Sequence, residues 1–296
     1  MKHQIFIIIA LLSFLSLGET FAQGIAFSKE TFSYGDMTLL YQKANLSGVG
    51  DKASLVVYLH GGSSKGDDNE TQMLEPGINA ISTWLSENNR KAIMLVPQCP
   101  TDKSWLGTMQ DAIVRLLQTY IDRGVADASK VYILGGSMGG TGTWNMLSNH
   151  PDLFAAAMPV AGNPTGLNAE SVSKTPLFTV MGTADKIMKI SNVETFLKEM
   201  DNNNAEYKFN IEEGWTHEDV CKNSYTNERL DWLFGHTKDS ATDIPGITDD
   251  ESEVVSVAWF SVSGKKLMSA PIQKGVYVKT SIYSNGISVS EKFYIN

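Results

Sequence analysis

The chain has 296 residues and a formal net charge of -9. An apolar fraction of 42% is ample for a sizeable core and excludes a mostly disordered chain. The acidic balance, with no basic run, excludes nucleic acid and anionic membrane surfaces as expected partners.

The chain opens on "MKHQ", a short basic start, followed by the apolar run "IFIIIALLSFLSLG". "TFAQ" then offers Thr20 and Ala22 as small residues around a cleavage point after Ala22. This three-part pattern predicts a cleaved signal peptide over residues 1–22. The run is short for a membrane span. The absence of a cysteine near the cleavage point argues against a lipid anchor. The expected location is secreted, periplasmic or cell-surface.

From residue 23 the pattern alternates. "SLVVYLHG" (54–61), "AIMLVPQ" (92–98), "KVYILGG" (130–136), "AAAMPVAG" (155–162), "PLFTVMG" (176–182) and "EYKFNIEEG" (206–214) read as strands. Helical spacing runs over 72–89, over 109–124 where Gly124 stops it, after Ser137, and over 192–200 and 224–235. Short apolar strands alternating with helices predict an α/β fold, a mostly parallel sheet covered on both faces. Working groups in such sheets collect at the carboxyl ends of the strands. Residues 236–253 are polar and acidic and read as a linker, which bounds a catalytic domain at 23–235. Residues 254–296 alternate apolar and polar, with turns at "SGK" and "SNG", and predict a small antiparallel β unit.

Gly135-Gly136-Ser137-Met138-Gly139 is a G-x-S-x-G match with a strand before it and a helix after it. A serine nucleophile on so sharp a turn needs neighbours without side chains two positions away on either side. The turn also aims the Met138 amide at the place where an oxyanion would form. The competing reading is a Gly-rich turn that binds a phosphate or nothing.

Serine needs a base, and the base needs an orienting carboxylate, in the chain order Ser, acid, His. Of five histidines, His217 lies just after the last strand of the series and is the base by position. Asp185, four residues past the apolar core of strand 176–182, is the acid, with Glu194 as the fallback. Asp201 and Asp219 read as solvated. "YLHGGSSKGDDN" supplies a second oxyanion donor at Gly62, with His60 packed beneath that loop. Trp105 and Trp215 either wall the substrate pocket or pack as core or rim, while Trp144 packs inward. Cys99 and Cys221 both follow strands, and export would permit a disulfide between them. No Cys/His cluster has metal-ligand spacing and no dinucleotide fingerprint is present, so neither a metal nor another cofactor is expected.

"LHGGSSKGDDN", "VPQCPTDKSW", "VYILGGSMGGTGTWNMLSNHPDLFAAAMPVAGN" and "MGTADKI", with the histidine and "WLF" downstream, resemble the secreted predicted-peptidase or phospholipase/carboxylesterase-like α/β-hydrolases. That group lies near the polyhydroxybutyrate-depolymerase and feruloyl-esterase enzymes. The resemblance covers roughly residues 54–235 and implies Ser137, Asp185 and His217 as a catalytic triad. The chain departs from it at Cys221, where a tryptophan is expected, and in an elbow that begins Gly-Gly-Ser rather than Gly-Leu-Ser. The "FSVSGKKL…KGVYVKT…NGISVSEKFYI" pattern resembles C-terminal sorting tails of the type IX secretion system, which implies secretion machinery as a partner. A carbohydrate-binding appendage and a β extension packed on the parent domain are the alternatives.

These readings converge on a secreted serine hydrolase of carboxylic esters. The 163–174 connection is too short to hold a lid, so bulky substrates such as acyl groups on polysaccharides are expected. The rivals are a peptidase of the same fold and a catalytically inactive binding protein.

Overall fold

In the computed structural model the described residues are 25–238, 254–261, 264–283 and 288–295. The expected signal peptide, and residues 239–253 of the expected linker, lie outside them. Strands β1 (Ser28–Tyr34) and β2 (Met37–Leu46) form an antiparallel hairpin around Gly35, whose φ is 56°. No expectation covered this hairpin. Then follow β3 (Val49–Leu59), β4 (Arg90–Pro97), β5 (Ala126–Gly136), β6 (Ala156–Val160), β7 (Leu177–Gly182) and β8 (Tyr207–Glu212). Together they make one eight-stranded sheet in the order β1-β2-β4-β3-β5-β6-β7-β8. β2 runs antiparallel to β4, and every pairing from β4 through β8 is parallel.

Both faces of the sheet are buried, because successive side chains of a strand point to opposite sides. Leu55, Val57 and Leu59 of β3 enter one core, and Val56 and Tyr58 enter the other. The first core is closed by α2 (Thr108–Asp122), α3 (Met138–Asn149) and α5 (Ile190–Asp201). The second is closed by α1 (Pro76–Glu87), α6 (His217–Asn223) and α7 (Asn227–Phe234). α2 buries Met109, Ala112, Ile113, Leu116 and Leu117, the i, i+3, i+4, i+7, i+8 stripe of an amphipathic helix. Gly124, at φ 68°, provides the left-handed residue past its end. α1 starts later than its sequence pattern suggests, because Pro76 takes the first helical position after a 3-10 turn over Thr71–Leu74. The β6–β7 connection holds a single short helix, α4 (Ala169–Val172).

The expected linker began at residue 236, but His236 and Lys238 belong to the domain. Tyr132 donates to the His236 carbonyl (2.6 Å), and the Lys238 amide donates to Ser129 (2.9 Å). The C-terminal unit is a four-stranded antiparallel sheet of β9 (Val254–Ser261), β10 (Lys266–Leu267), β11 (Gly275–Tyr283) and β12 (Ser288–Ile295), ordered β10-β9-β11-β12.

Candidate active site

The carboxyl ends of β3, β5, β7 and β8 converge on Ser137. It follows β5 at φ 58°, ψ -117° and caps the start of α3. That backbone is rare for a residue with a side chain. It survives because strand and helix are locked around it: the Ser137 amide donates to Val160 of β6 (3.0 Å), and Thr141 donates to the Ser137 carbonyl (2.9 Å). The flanking glycines are required by contact. A Cβ at Gly139 would stand 1.8 Å from the Leu59 carbonyl oxygen, and one at Gly135 would stand 2.6 Å from the Gly139 oxygen.

Ser137 Oγ lies 2.7 Å from His217 Nε2, and His217 Nδ1 lies 2.8 Å from Asp185 Oδ2. The other Asp185 oxygen accepts the amides of Ile187 (2.7 Å) and Met188 (2.9 Å), and the carboxylate is fully buried. A carboxylate so held keeps the proton on Nδ1 and leaves the Nε2 lone pair facing the serine. His217 opens α6 instead of lying on a bare loop. Thr216 caps that helix in a reciprocal capping box with Asp219, whose solvent-exposed carboxylate accepts the Thr216 amide and hydroxyl. The Thr-x-x-Asp spacing was present in the sequence as a signal for this cap. Three hydrogen bonds join the loops that carry Asp185 and His217: Thr183 to the Glu212 carbonyl (3.0 Å), Ala184 to the Trp215 carbonyl (3.0 Å), and Gly214 to Thr183 Oγ1 (2.8 Å). Arg229 pairs with Glu212, donates to the Ser224 carbonyl and lies 6.0 Å from the Trp215 ring.

Gly62 opens a 3-10 turn after β3, next to the elbow. Its orientation is set from His60. The Cys99 amide donates to His60 Nε2 (2.9 Å), so the ring proton is on Nδ1 and donates to the Gly61 carbonyl (2.7 Å). The Ser64 amide also donates to that carbonyl (3.2 Å). In a trans peptide the N–H opposes the C=O, so the Gly62 amide turns to the opposite side. Among the described residues, neither the Gly62 nor the Met138 amide donates to a protein acceptor. Burial lowers His60 to about 4, which keeps the ring neutral.

Trp105 does not wall a cleft. It is 1% exposed, its indole donates to the His60 carbonyl (2.9 Å), and its Cβ would meet a side chain at Gly142. Trp215 is half-buried against the α6–α7 core, where it braces the turn before His217. Trp144 is fully buried. Cys99 and Cys221 are free thiols. They pack on opposite faces of the sheet, which no disulfide spans. Cys221 lies behind the elbow, 3.4 Å from where a Gly136 Cβ would be, and burial pushes its thiol up to about 12. Among the described residues no group of His, Cys, Asp or Glu is gathered as metal ligands would be.

The family model described as the dienelactone hydrolase family matches residues 86–233, half of the 296-residue chain. The chain belongs to the dienelactone hydrolase family. This family member has the α/β-hydrolase fold. Its structure resembles that of a thermostable esterase with a TM-score of 0.67 at 25% identity, over 72% of this chain and 63% of the esterase. It also shares the fold of a feruloyl esterase module from Clostridium thermocellum, with a TM-score of 0.59 at 16% identity, over 75% of this chain and 92% of the module. In sequence it is 28% identical over 136 residues to dipeptidyl aminopeptidase BIII of Pseudoxanthomonas mexicana, over 42% of this chain. The dienelactone hydrolase-family chain thus aligns with 19% of that curated relative's length.

Proposed function

We propose that the protein is a serine hydrolase of carboxylic esters that works through an acyl-enzyme. The observation that carries this reading is the hydrogen-bonded line from Ser137 Oγ through His217 to buried Asp185. Ser137 Oγ attacks the ester carbonyl carbon while His217 Nε2 takes its proton. The resulting oxyanion is held by the Met138 and Gly62 amides. The C–O bond then breaks, and His217 returns the proton to the leaving alcohol. Water repeats the sequence on the acyl-enzyme, with its proton passing through His217. Asp185 holds the imidazole tautomer and balances its charge.

The β6–β7 connection, where a lid would sit, holds one four-residue helix, which supports an open cleft beside Ser137. An open cleft suits acyl groups carried on bulky molecules such as polysaccharides. The signal-peptide pattern of residues 1–22 supports action outside the cytoplasm, and the C-terminal sheet supports delivery by secretion machinery. A peptidase is the second reading, supported by the dipeptidyl aminopeptidase relative.

The deciding experiment combines labelling by a fluorophosphonate probe with parallel turnover of acetyl, butyryl and feruloyl aryl esters and of aminoacyl amides. Labelling with ester turnover is expected. Faster turnover of the amides would establish the peptidase, and a folded protein inert to probe and substrates alike would be a binding module.

A further inference from the structure

The loop that presents Gly62 is held from a second side by Glu75, a residue with no role in the proton relay. Glu75 sits between the 3-10 turn and α1, and the following Pro76 restricts it to the extended backbone it adopts, φ -67°, ψ 122°. From there Oε1 accepts the Gly61 amide (2.9 Å) and the Ser64 hydroxyl (2.7 Å). A Cβ on Gly61 would lie 3.2 Å from this oxygen and 3.7 Å from the Ser137 Cβ, so the carboxylate stands beside the nucleophile's wall.

The two sides of the loop complement each other. His60 and the Ser64 amide hold the Gly61 carbonyl, while Glu75 holds the Gly61 amide. Both peptide units flanking Gly61 are thereby fixed. Glycine has wide backbone freedom, and two successive glycines would otherwise let the Gly62 amide swing. A carboxylate near a developing oxyanion opposes its charge, so charge alone gives no catalytic reason for a glutamate here. Accepting two hydrogen bonds at one oxygen does. The Tyr58 phenol and the Cys221 thiol, both raised chiefly by burial, also feel the Glu75 carboxylate, which places it at the back of the elbow as well as under the loop.

We infer that Glu75 is a positioning residue: its Oε1, by accepting the Gly61 amide and the Ser64 hydroxyl, aims the Gly62 amide at the substrate carbonyl. This role rests on the proposed ester hydrolysis with Gly62 as an oxyanion donor. Loss of an oxyanion donor costs roughly 10²–10³ in turnover, so a donor left loose is expected to cost roughly 10- to 100-fold.

The test measures kcat and KM on 4-nitrophenyl acetate, with fluorophosphonate labelling, for wild type, Glu75→Ala, Glu75→Gln and Glu75→Asp. Gln keeps an acceptor oxygen at the same reach and removes the charge. Asp keeps the charge and withdraws the oxygen by one methylene. The expected result is a kcat for Ala and Asp roughly 10- to 100-fold down with KM within about twofold, and Gln close to wild type. An active wild type whose Ala variant keeps kcat within about twofold overturns the role of Glu75 and leaves the esterase reading intact. If Ala fails to fold, the Gln and Asp pair decides: Asp near wild type with Gln depressed means that charge, not hydrogen-bond acceptance, is used, and overturns the inference. A wild type inert to both ester and probe overturns the esterase reading and this role together.

Discussion

Ser137 carries an unfavourable backbone for the sake of where its hydroxyl points. A positive φ with ψ at -117° lies outside the regions open to residues with side chains and costs about 1–3 kcal/mol. Ser137→Ala keeps that strain and loses the proposed nucleophile, so ester turnover is expected to fall to a trace in a folded protein. Ser137→Gly also loses turnover but relieves the strain. Its unfolding free energy from urea titration is expected to exceed that of Ser137→Ala by about 1 kcal/mol once glycine's extra chain entropy is subtracted. His217→Ala is expected to cost about as much turnover as Ser137→Ala, and the double variant little more, because the groups act as a unit. Single and double kcat/KM values check this, and an additive loss would refute it. His60 gives a pH prediction. Burial, with a smaller contribution from Lys65, lowers it from 6.5 to about 4 in the folded protein, against the Gly61 hydrogen bond, which raises it. Between those values the unfolded chain binds a proton that the folded chain does not. The His60 contribution to stability is therefore intact above pH 6.5, declines as pH falls towards about 4, and is constant below that. The difference between wild-type and His60→Gln urea midpoints across this range should trace that decline.

At the scale of elements, the site depends on how closely α3 approaches β3. The missing Cβ at Gly139 lets the first turn of α3 rest on the Leu59 carbonyl. Gly139→Ala would place a methyl carbon 1.8 Å from that backbone oxygen, and neither partner is a flexible side chain. It is expected to destabilise by at least about 3 kcal/mol, the upper part of the overpacking range, and to lower turnover by shifting Ser137. Thermal unfolding of the purified variant checks the first effect. The α6 cap is a milder element. Thr216→Ala removes one side of the capping box that starts the helix carrying His217, and is expected to cost about 1 kcal/mol.

For the whole molecule, Ser137, Asp185 and His217 follow β5, β7 and β8, while β1 is the far edge of the sheet. The C-terminal sheet approaches that edge, where β12 lies beside β1. A chain ending at Lys238 is therefore expected to keep its turnover on a small aryl ester. A soluble, folded but inactive truncated chain would mean that the C-terminal sheet shapes the cleft. Ending instead at Gly235 removes the Tyr132–His236 and Lys238–Ser129 hydrogen bonds and should lower the melting temperature relative to the longer truncation.

Local pattern alone determined a good deal here. Apolar runs alternating with helical stripes specify a doubly covered parallel sheet, because such strands have no face left for water. Gly135, Ser137 and Gly139 specify the elbow, because only that spacing permits the turn. The order of strands and histidines singled out Asp185 and His217, which the fold brings within hydrogen-bond reach of each other and of Ser137. Tertiary structure decided what depends on which face a side chain takes and which distant backbone it meets. Trp105 follows a strand end as a pocket wall would, yet its ring turns into the core because Gly142 and the His60 carbonyl receive it. Cys99 and Cys221 both follow strands, yet the sheet stands between them. Glu75 carries no motif, and its partners Gly61 and Ser64 are more than ten residues away. A hydrogen bond of that span is set by the packing of α1 against the sheet, and no local spacing in a chain records it.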